Sequence, residues 1–437
     1  MAPAGLKFTA GSTWKMDLSA YRKKQQRKIP SSIAQLLNDD KIICGLLKEI
    51  YDHDHHDVEK VEVKLLTPCS DIKGNLSDSG RLKIFVKTFG GAKHSYSWFV
   101  KVQPLDHQNT ELVSKFNVFK NEIEFYSKIA PSLMNFIKEA NISNDDIQFD
   151  IPKMIFAEED DDRAIIILED LVSEGYKQER DENGNRYLSK EKATLAVESI
   201  AKIHAASYAL QIKKNIDLGS NHPTLEKSGL LWTNSEMTSR LYAVKDVYCE
   251  FLKQSKNPDS PLLLERFRKT FDSEELLRAL CFDRCSSDEE GILCLQQGDF
   301  HFNNLLFKEE DGKLKVKIVD WQLTYNGRSG GDISYLLMSS IDPDDFETEE
   351  ENIKERYFDS FNETFSALYS QEKTMDQEDE NNNNVDEILE MEYDKSLPLG
   401  FFFSCGNVMH KENFEDEERK VSFTYQLCKE AAEKNLI

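Results

Sequence analysis

Between residues 295 and 321 the chain reads LQQGDFHFNNLLFKEEDGKLKVKIVDW: strand, polar loop, short strand, turn, strand. Asp311-Gly312 is a strong turn signal between two alternating apolar runs, so the flanking runs are expected to pair as a hairpin. Folding back there brings Asn304, which opens the first run, beside Asp320, which closes the second. Two oxygen ligands at a hairpin mouth suit a hard divalent cation such as Mg²⁺. Asp299, five residues before Asn304, then stands where it can accept a proton from a hydroxyl attacking a metal-bound phosphate. Asp and Asn also cap turns without any chemistry. It is three such residues together at strand ends that favours a site.

A chain of 437 residues can hold one large two-lobed domain or roughly two to three ordinary ones. Its 39% hydrophobic and 31% charged residues describe a soluble, core-forming protein. The net charge of −24 would repel a phosphate backbone, which argues against nucleic acid as a partner. Such a chain can still hold ATP where Mg²⁺ and a lysine or two neutralise the phosphates locally. The 8 cysteines include no CxxC pair, so reduced thiols in a cytoplasmic setting are expected. The Cys281–Cys285 spacing suits neighbours on a helix. No apolar run reaches membrane-spanning length, and the N-terminal segment lacks the apolar centre of a signal peptide. The basic cluster at 21–28 fits a solvated helix end.

Residues 1–35 read as a polar leader. Helical spacing follows over 33–50, then DHDHHD at 52–57, a composition that suits a solvated turn better than a metal site. Strands are expected at 61–66, 82–88, 97–103 and 164–168, with a helix over 114–130 that Pro131 ends or kinks. Beyond 170 the texture turns helical, beginning at 189–212 with Ser189 as N-cap. An N-lobe over 36–168 and a C-lobe over 169–437 follow, with the acidic, Asn-rich stretch 371–392 expected as a mobile insertion.

Lys101 alternates with the apolar Trp98, Val100 and Val102 on one strand and so faces the other way, beside Phe99. Two readings fit: an edge-strand lysine in water, or a cation paired with an anion. Glu122 bears on the choice. On a helix it falls within the face of Phe116, Phe119, Ile123, Tyr126 and Ala130, where a carboxylate is costly unless paired. A Lys–Glu pair of this kind is how kinase-like folds hold a lysine against nucleotide phosphates. The polar segment 73–80 between the first two strands can be a phosphate-covering loop or an ordinary hairpin loop, and it lacks GxGxxG spacing. His204 reads as a satisfied, half-buried histidine. Asp332 reads as a helix cap able to brace the catalytic loop.

In the order Lys101, Glu122, Glu169, His204, Asp299, Asn304, Asp320, Asp332, the chain resembles the ecdysteroid kinase-like (CHK kinase-like) family. That family is a branch of the aminoglycoside phosphotransferase and choline kinase superfamily. The motifs that carry the likeness are FVKVQP at 99–104, NEIEFY at 121–126, ILEDL at 167–171 and KIHAASY at 202–208. GDFHFNNLLF at 298–307, IVDWQ at 318–322 and GGDISYLL at 330–337 complete the set, and the likeness runs from about residue 40 to the C-terminus. It implies an α+β, bilobal protein-kinase-like fold with a small antiparallel-sheet N-lobe and a larger, mainly helical C-lobe. It further implies an ATP- and Mg²⁺-dependent kinase acting on a small hydroxylated molecule, of the ecdysteroid or steroid-alcohol type. Asp299 would be the catalytic base, with Asn304 and Asp320 the metal ligands. Lys101, held by Glu122, would grip the phosphates, and the backbone from Glu169 to Leu171 would hold adenine. The family usually carries His two residues before the catalytic Asp, whereas Gln297 stands here. A choline- or aminoglycoside-type kinase and a nucleotide-binding protein without turnover are the competing readings. Residues 399–403 (LGFFF) fit either a substrate-pocket wall or a core helix.

Overall fold

Alternation of apolar and polar side chains builds the first unit of the molecule. In the computed structural model β3 (Asp78–Thr88) buries Leu82, Ile84 and Val86 on one face, and β4 (Lys93–Val102) buries Trp98, Val100 and Val102. The structure describes residues 13–17, 58–66, 78–103, 116–140, 142, 147–159, 164–180, 187–285, 291–342, 344–369, 378–406, 414 and 416–437. The expected helix at 33–50, the DHDHHD tract and residues 73–77 lie outside these. The last three residues of the expected 73–80 loop open β3.

Five antiparallel strands form the sheet in the order β2 (Val58–Leu66), β3, β4, β6 (Ala164–Glu169) and β5 (Met154–Glu159). A further strand, β1 (Thr13–Asp17), pairs in parallel with β2, so part of the expected polar leader joins the sheet edge. β6, Ala-Ile-Ile-Ile-Leu-Glu, is buried on both faces, as a continuous apolar run in mid-sheet requires. Against β5 and β6 packs α1 (Val118–Glu124), whose buried residues include Phe119, Glu122 and Ile123. Pro131 does not end this helical run. A π-helical turn, Phe125–Ile129, precedes it, and Pro131 falls in the first turn of α2 (Ala130–Glu139). The ring is accommodated there directly after the π-helical turn.

Contacts divide the chain into two compact units, 1–127 with 152–176, and 128–151 with 177–437. The second unit is built around α3 (Lys190–Lys214), a helix of 25 residues with Ala193, Ala196, Val197, Ile200 and Ile203 buried. Ser189 takes the N-cap position but its hydroxyl makes no capping bond. Next come α4 (Leu218–Asn221), α5 (Pro223–Gly229), α6 (Ser235–Tyr242), α7 (Val244–Gln254), α8 (Ser260–Thr270) and α9 (Glu274–Asp283). Then β7 (Leu293–Gln296) pairs with β10 (Tyr325–Arg328), and β8 (Leu305–Glu310) pairs with β9 (Lys313–Ile318). The unit closes with α10 (Gly330–Ser340), α11 (Phe346–Tyr369), α12 (Glu378–Ser404) and α13 (Glu417–Glu433). Much of the expected mobile insertion is thus helical. Val385, Leu389 and Tyr393 are buried along α12, a helical spacing that the acidic, Asn-rich composition masked. Among the described residues, no helix is long and apolar enough to cross a membrane.

Candidate active site

Lys101 sits in mid-sheet, since β4 is flanked by β3 and β6, and it is 6% exposed. The edge-strand reading therefore fails. Its Nζ lies 2.7 Å from Glu122 Oε2, with the Glu122 side chain fully buried. Sheet and helix in the first unit thus hold a desolvated ion pair, in which removing either partner would leave the other charge buried and uncompensated.

At the exit of β6 a second buried charge organises the turn. Asp170, 2% exposed, accepts from Arg81 Nε at 2.7 Å and from Ser97 Oγ at 2.6 Å. Its other carboxylate oxygen accepts from the Ser173 N–H at 3.3 Å. Glu169 N–H donates to the Lys153 carbonyl at 2.9 Å, and the Leu171 carbonyl accepts from the Tyr176 N–H at 3.0 Å. These bonds pin the segment that contains Glu169 and Leu171.

In the second unit the hairpin forms as the turn signal requires. Asp311 and Gly312 adopt φ of 53° and 72°, both left-handed as a two-residue turn demands, and the register runs from Leu305↔Ile318 to Glu310↔Lys313. Its open end carries Asn304 and, two residues beyond Ile318, Asp320. The Val319 N–H donates to the Asn304 carbonyl at 3.0 Å, which ties the two strand ends together. Asp320 itself is left-handed (φ 63°), a conformation that Asp tolerates better than most residues.

Asn304 Nδ2 donates to the Asp299 carbonyl at 2.8 Å and to Asp299 Oδ2 at 3.1 Å. With its amide nitrogen so committed, Asn304 Oδ1 points away from Asp299. Asn304 Oδ1 and the Asp320 carboxylate are hard oxygen donors of the kind Mg²⁺ takes, usually together with phosphate oxygens and water. The residues present fit that ion. Among the described residues, no cluster of three or more His, Cys, Asp or Glu could hold a metal. Any ion here would therefore draw on Asn and on ligand oxygens.

The loop between β7 and β8 is braced from both sides. Asp332 Oδ2 accepts from the Gln297 N–H at 2.6 Å and Oδ1 from the Gly298 N–H at 2.9 Å. Asp332 belongs to the first turn of α10, yet its carboxylate serves the loop, which confirms the brace. His204, fully buried rather than half-buried, places Nε2 3.2 Å from Asp332 Oδ2 and Nδ1 2.8 Å from the Tyr357 hydroxyl. Gly298 has φ 87°, and a Cβ there would lie 2.2 Å from the Leu323 carbonyl oxygen, so only glycine fits.

Gln297 does more than its sequence position suggested. Its Nε2 donates to the Val319 carbonyl at 3.0 Å and the Asp320 carbonyl at 2.8 Å, while its Oε1 accepts from the Asp299 N–H at 2.7 Å. One fully buried amide therefore links Asp299 to the backbone of Val319 and Asp320. His301, which the sequence reading did not single out, lies 3.6 Å from Asp299 Oδ2 through Nε2 and stacks on Tyr335 at 5.5 Å. Burial, with the charge of Asp299 adding to it, pushes the Tyr335 hydroxyl well above its usual pKa. The position of His301 inside GDFHFNN was the one available signal.

A family match makes the protein a phosphotransferase with an alcohol group as acceptor. The chain belongs to the ecdysteroid kinase-like family, whose match spans residues 76–370. No curated protein matches the sequence. Among solved structures, it is similar to the GDP and kanamycin complex of the aminoglycoside phosphotransferase APH(2'')-IIIa, with 11% identity, 89% of this chain and 98% of that one covered, and a TM-score of 0.35. A microcompartment-associated aminopropanol kinase shares 10% identity over 90% of this chain and 98% of its own, with a TM-score of 0.34. An APH(3'')-Id from Streptomyces rimosus in complex with ADP and streptomycin shares 14% identity over 70% and 90%, with a TM-score of 0.27.

Proposed function

We propose that the chain transfers the γ-phosphate of ATP, with Mg²⁺, to a hydroxyl of a small apolar alcohol of the steroid type. The observation that carries this reading is the Asp299–Asn304–Gln297 network, which holds a carboxylate, 31% exposed, against the hairpin mouth. Asn304 Oδ1 and Asp320 would hold Mg²⁺, which neutralises phosphate charge when bound. Asp299 Oδ2 accepts the acceptor's proton as its oxygen bonds to the γ-phosphorus and the bond to the β-bridging oxygen breaks, releasing ADP. Lys101, positioned by Glu122, holds the α- and β-phosphates, and the backbone of Glu169 and Leu171 holds adenine. Asp332 and Gln297 keep the loop from shifting, so positioning supplies most of the catalysis. The steroid-type acceptor rests on the family match. The test is product formation from ATP with a panel of ecdysteroids, sterols, choline and aminoglycosides, with Asp299→Asn as control. Product from choline or an aminoglycoside alone would replace the steroid-type assignment.

A further inference from the structure

Arg284, immediately after α9, is a buried cation that the proposed chemistry leaves unused. It is 2% exposed. Other buried cations of this unit sit on carboxylates: Lys354 on Glu390 at 2.6 Å and Arg328 on Glu392 at 3.1 Å. Arg284 instead stacks over the Tyr325 ring, 3.9 Å from its centroid, with Phe403 at 5.7 Å. Its Nε and Nη2 are buried and have no hydrogen-bond partner among the described residues. A π face answers the charge of a guanidinium but not its in-plane N–H groups, which want oxygen acceptors.

Two aromatic routes join this guanidinium to the catalytic loop. Through Tyr325 the route is direct: a Cβ on Gly298 would lie 3.2 Å from Tyr325 Cδ1. Through Phe403 it runs to Tyr335 at 5.6 Å, then to His301 at 5.5 Å, whose Nε2 is 3.6 Å from Asp299 Oδ2. A planar fork of donors beside aromatic walls recognises an sp² oxygen carried on an apolar body.

We propose that Arg284, with Tyr325 and Phe403, is the specificity subsite for the acceptor, selecting alcohols that also carry a carboxylate or carbonyl oxygen. This rests on Asp299 being the base, since the two aromatic routes run from Arg284 to the loop that carries it. The competing occupant is the chain's own acidic run, Asp288-Glu289-Glu290, which follows Arg284 in sequence.

The experiment uses three 3-hydroxysteroids that are alike except at one ring-D position: a side-chain carboxylate, a ketone, or plain hydrocarbon. Binding is read by thermal shift and turnover by ADP release, in wild type, Arg284→Lys, Arg284→Met and the triple variant Asp288→Asn/Glu289→Gln/Glu290→Gln. Wild type should bind one or both oxygen-bearing steroids roughly ten- to hundredfold better than the hydrocarbon, the range for a hydrogen bond to a charged group. Preference for the carboxylate alone marks an anionic acceptor, and equal preference marks a carbonyl. Arg284→Met should erase the preference and Arg284→Lys should keep part of it, because a lysine retains the charge but not the fork. Should Arg284→Met fail to fold, the Lys variant alone decides. The triple variant should keep the full preference. No preference in wild type, or one that survives Arg284→Lys undiminished, overturns the subsite. A preference absent in wild type that appears only in the triple variant also overturns it and assigns Arg284 to the acidic run. Steroid preference without product from any of the three would leave the subsite standing and count against Asp299 as base.

Discussion

Replacing Gln297 with alanine removes a side chain that bonds both to the Asp299 N–H and to the carbonyls of Val319 and Asp320. Three hydrogen bonds are lost, at 2.7, 2.8 and 3.0 Å, from a residue with no exposed surface. At about 0.5–1.5 kcal/mol each, they come to roughly 1.5–4.5 kcal/mol of stability. The functional loss should be larger than the stability loss implies, because the Asp299 N–H and the Asp320 carbonyl are then free to drift apart. Gln297→Glu provides an isosteric check. It puts a carboxylate oxygen where Nε2 faced two carbonyls, so it should be worse than alanine in both respects. Gln297→His keeps one donor and one acceptor and should retain most of the activity. Thermal melting and steady-state ATP turnover measure the two effects side by side. Wild-type melting and wild-type kcat in Gln297→Ala would refute the brace.

Lys101→Met leaves Glu122 buried and should destabilise the first unit by about 3–5 kcal/mol. Adding Glu122→Leu should restore melting without restoring ATP affinity, a split that a purely structural pair would not produce. Burial pushes the Cys281 thiol up to about 12, so at pH 8 it should resist thiol-labelling reagents until the protein unfolds. The corresponding stability is intact below the unfolded thiol's pKa of about 8.5 and declines as pH rises from there toward 12. Mass spectrometry of native and denatured samples, and melts from pH 7 to 10, check both; fast native labelling of Cys281 would contradict the burial.

The hairpin was legible because turn chemistry is local: Asp311-Gly312 specifies its own geometry and so the register of Asn304 and Asp320. The Lys101–Glu122 pair was legible for a related reason, since the helix period put Glu122 on an apolar face and the strand before it offered Lys101 as its partner. Contacts set by the tertiary fold were not. Arg81 and Asp170 stand 89 residues apart with nothing local to join them. Gln297 looked like a departure from a family pattern, and its bonds to residues 319 and 320 exist only once the loop after β7 and the end of β9 are brought together by the tertiary fold. Before Pro131 nothing in the sequence marks the π-helical turn, which no propensity signals. In α12 the acidic, Asn-rich composition hid an apolar stripe through Val385, Leu389 and Tyr393.

The central claim is that Asp299 serves as the base for phosphoryl transfer to an alcohol. Single-turnover transfer from γ-labelled ATP to the best acceptor, with Mg²⁺, compares wild type with Asp299→Asn at matched, saturating nucleotide. The account predicts labelled alcohol phosphate from wild type and at least a hundredfold slower transfer in the variant, with ATP binding retained. Transfer at the wild-type rate in Asp299→Asn, or no ATP bound by wild type at all, would contradict it.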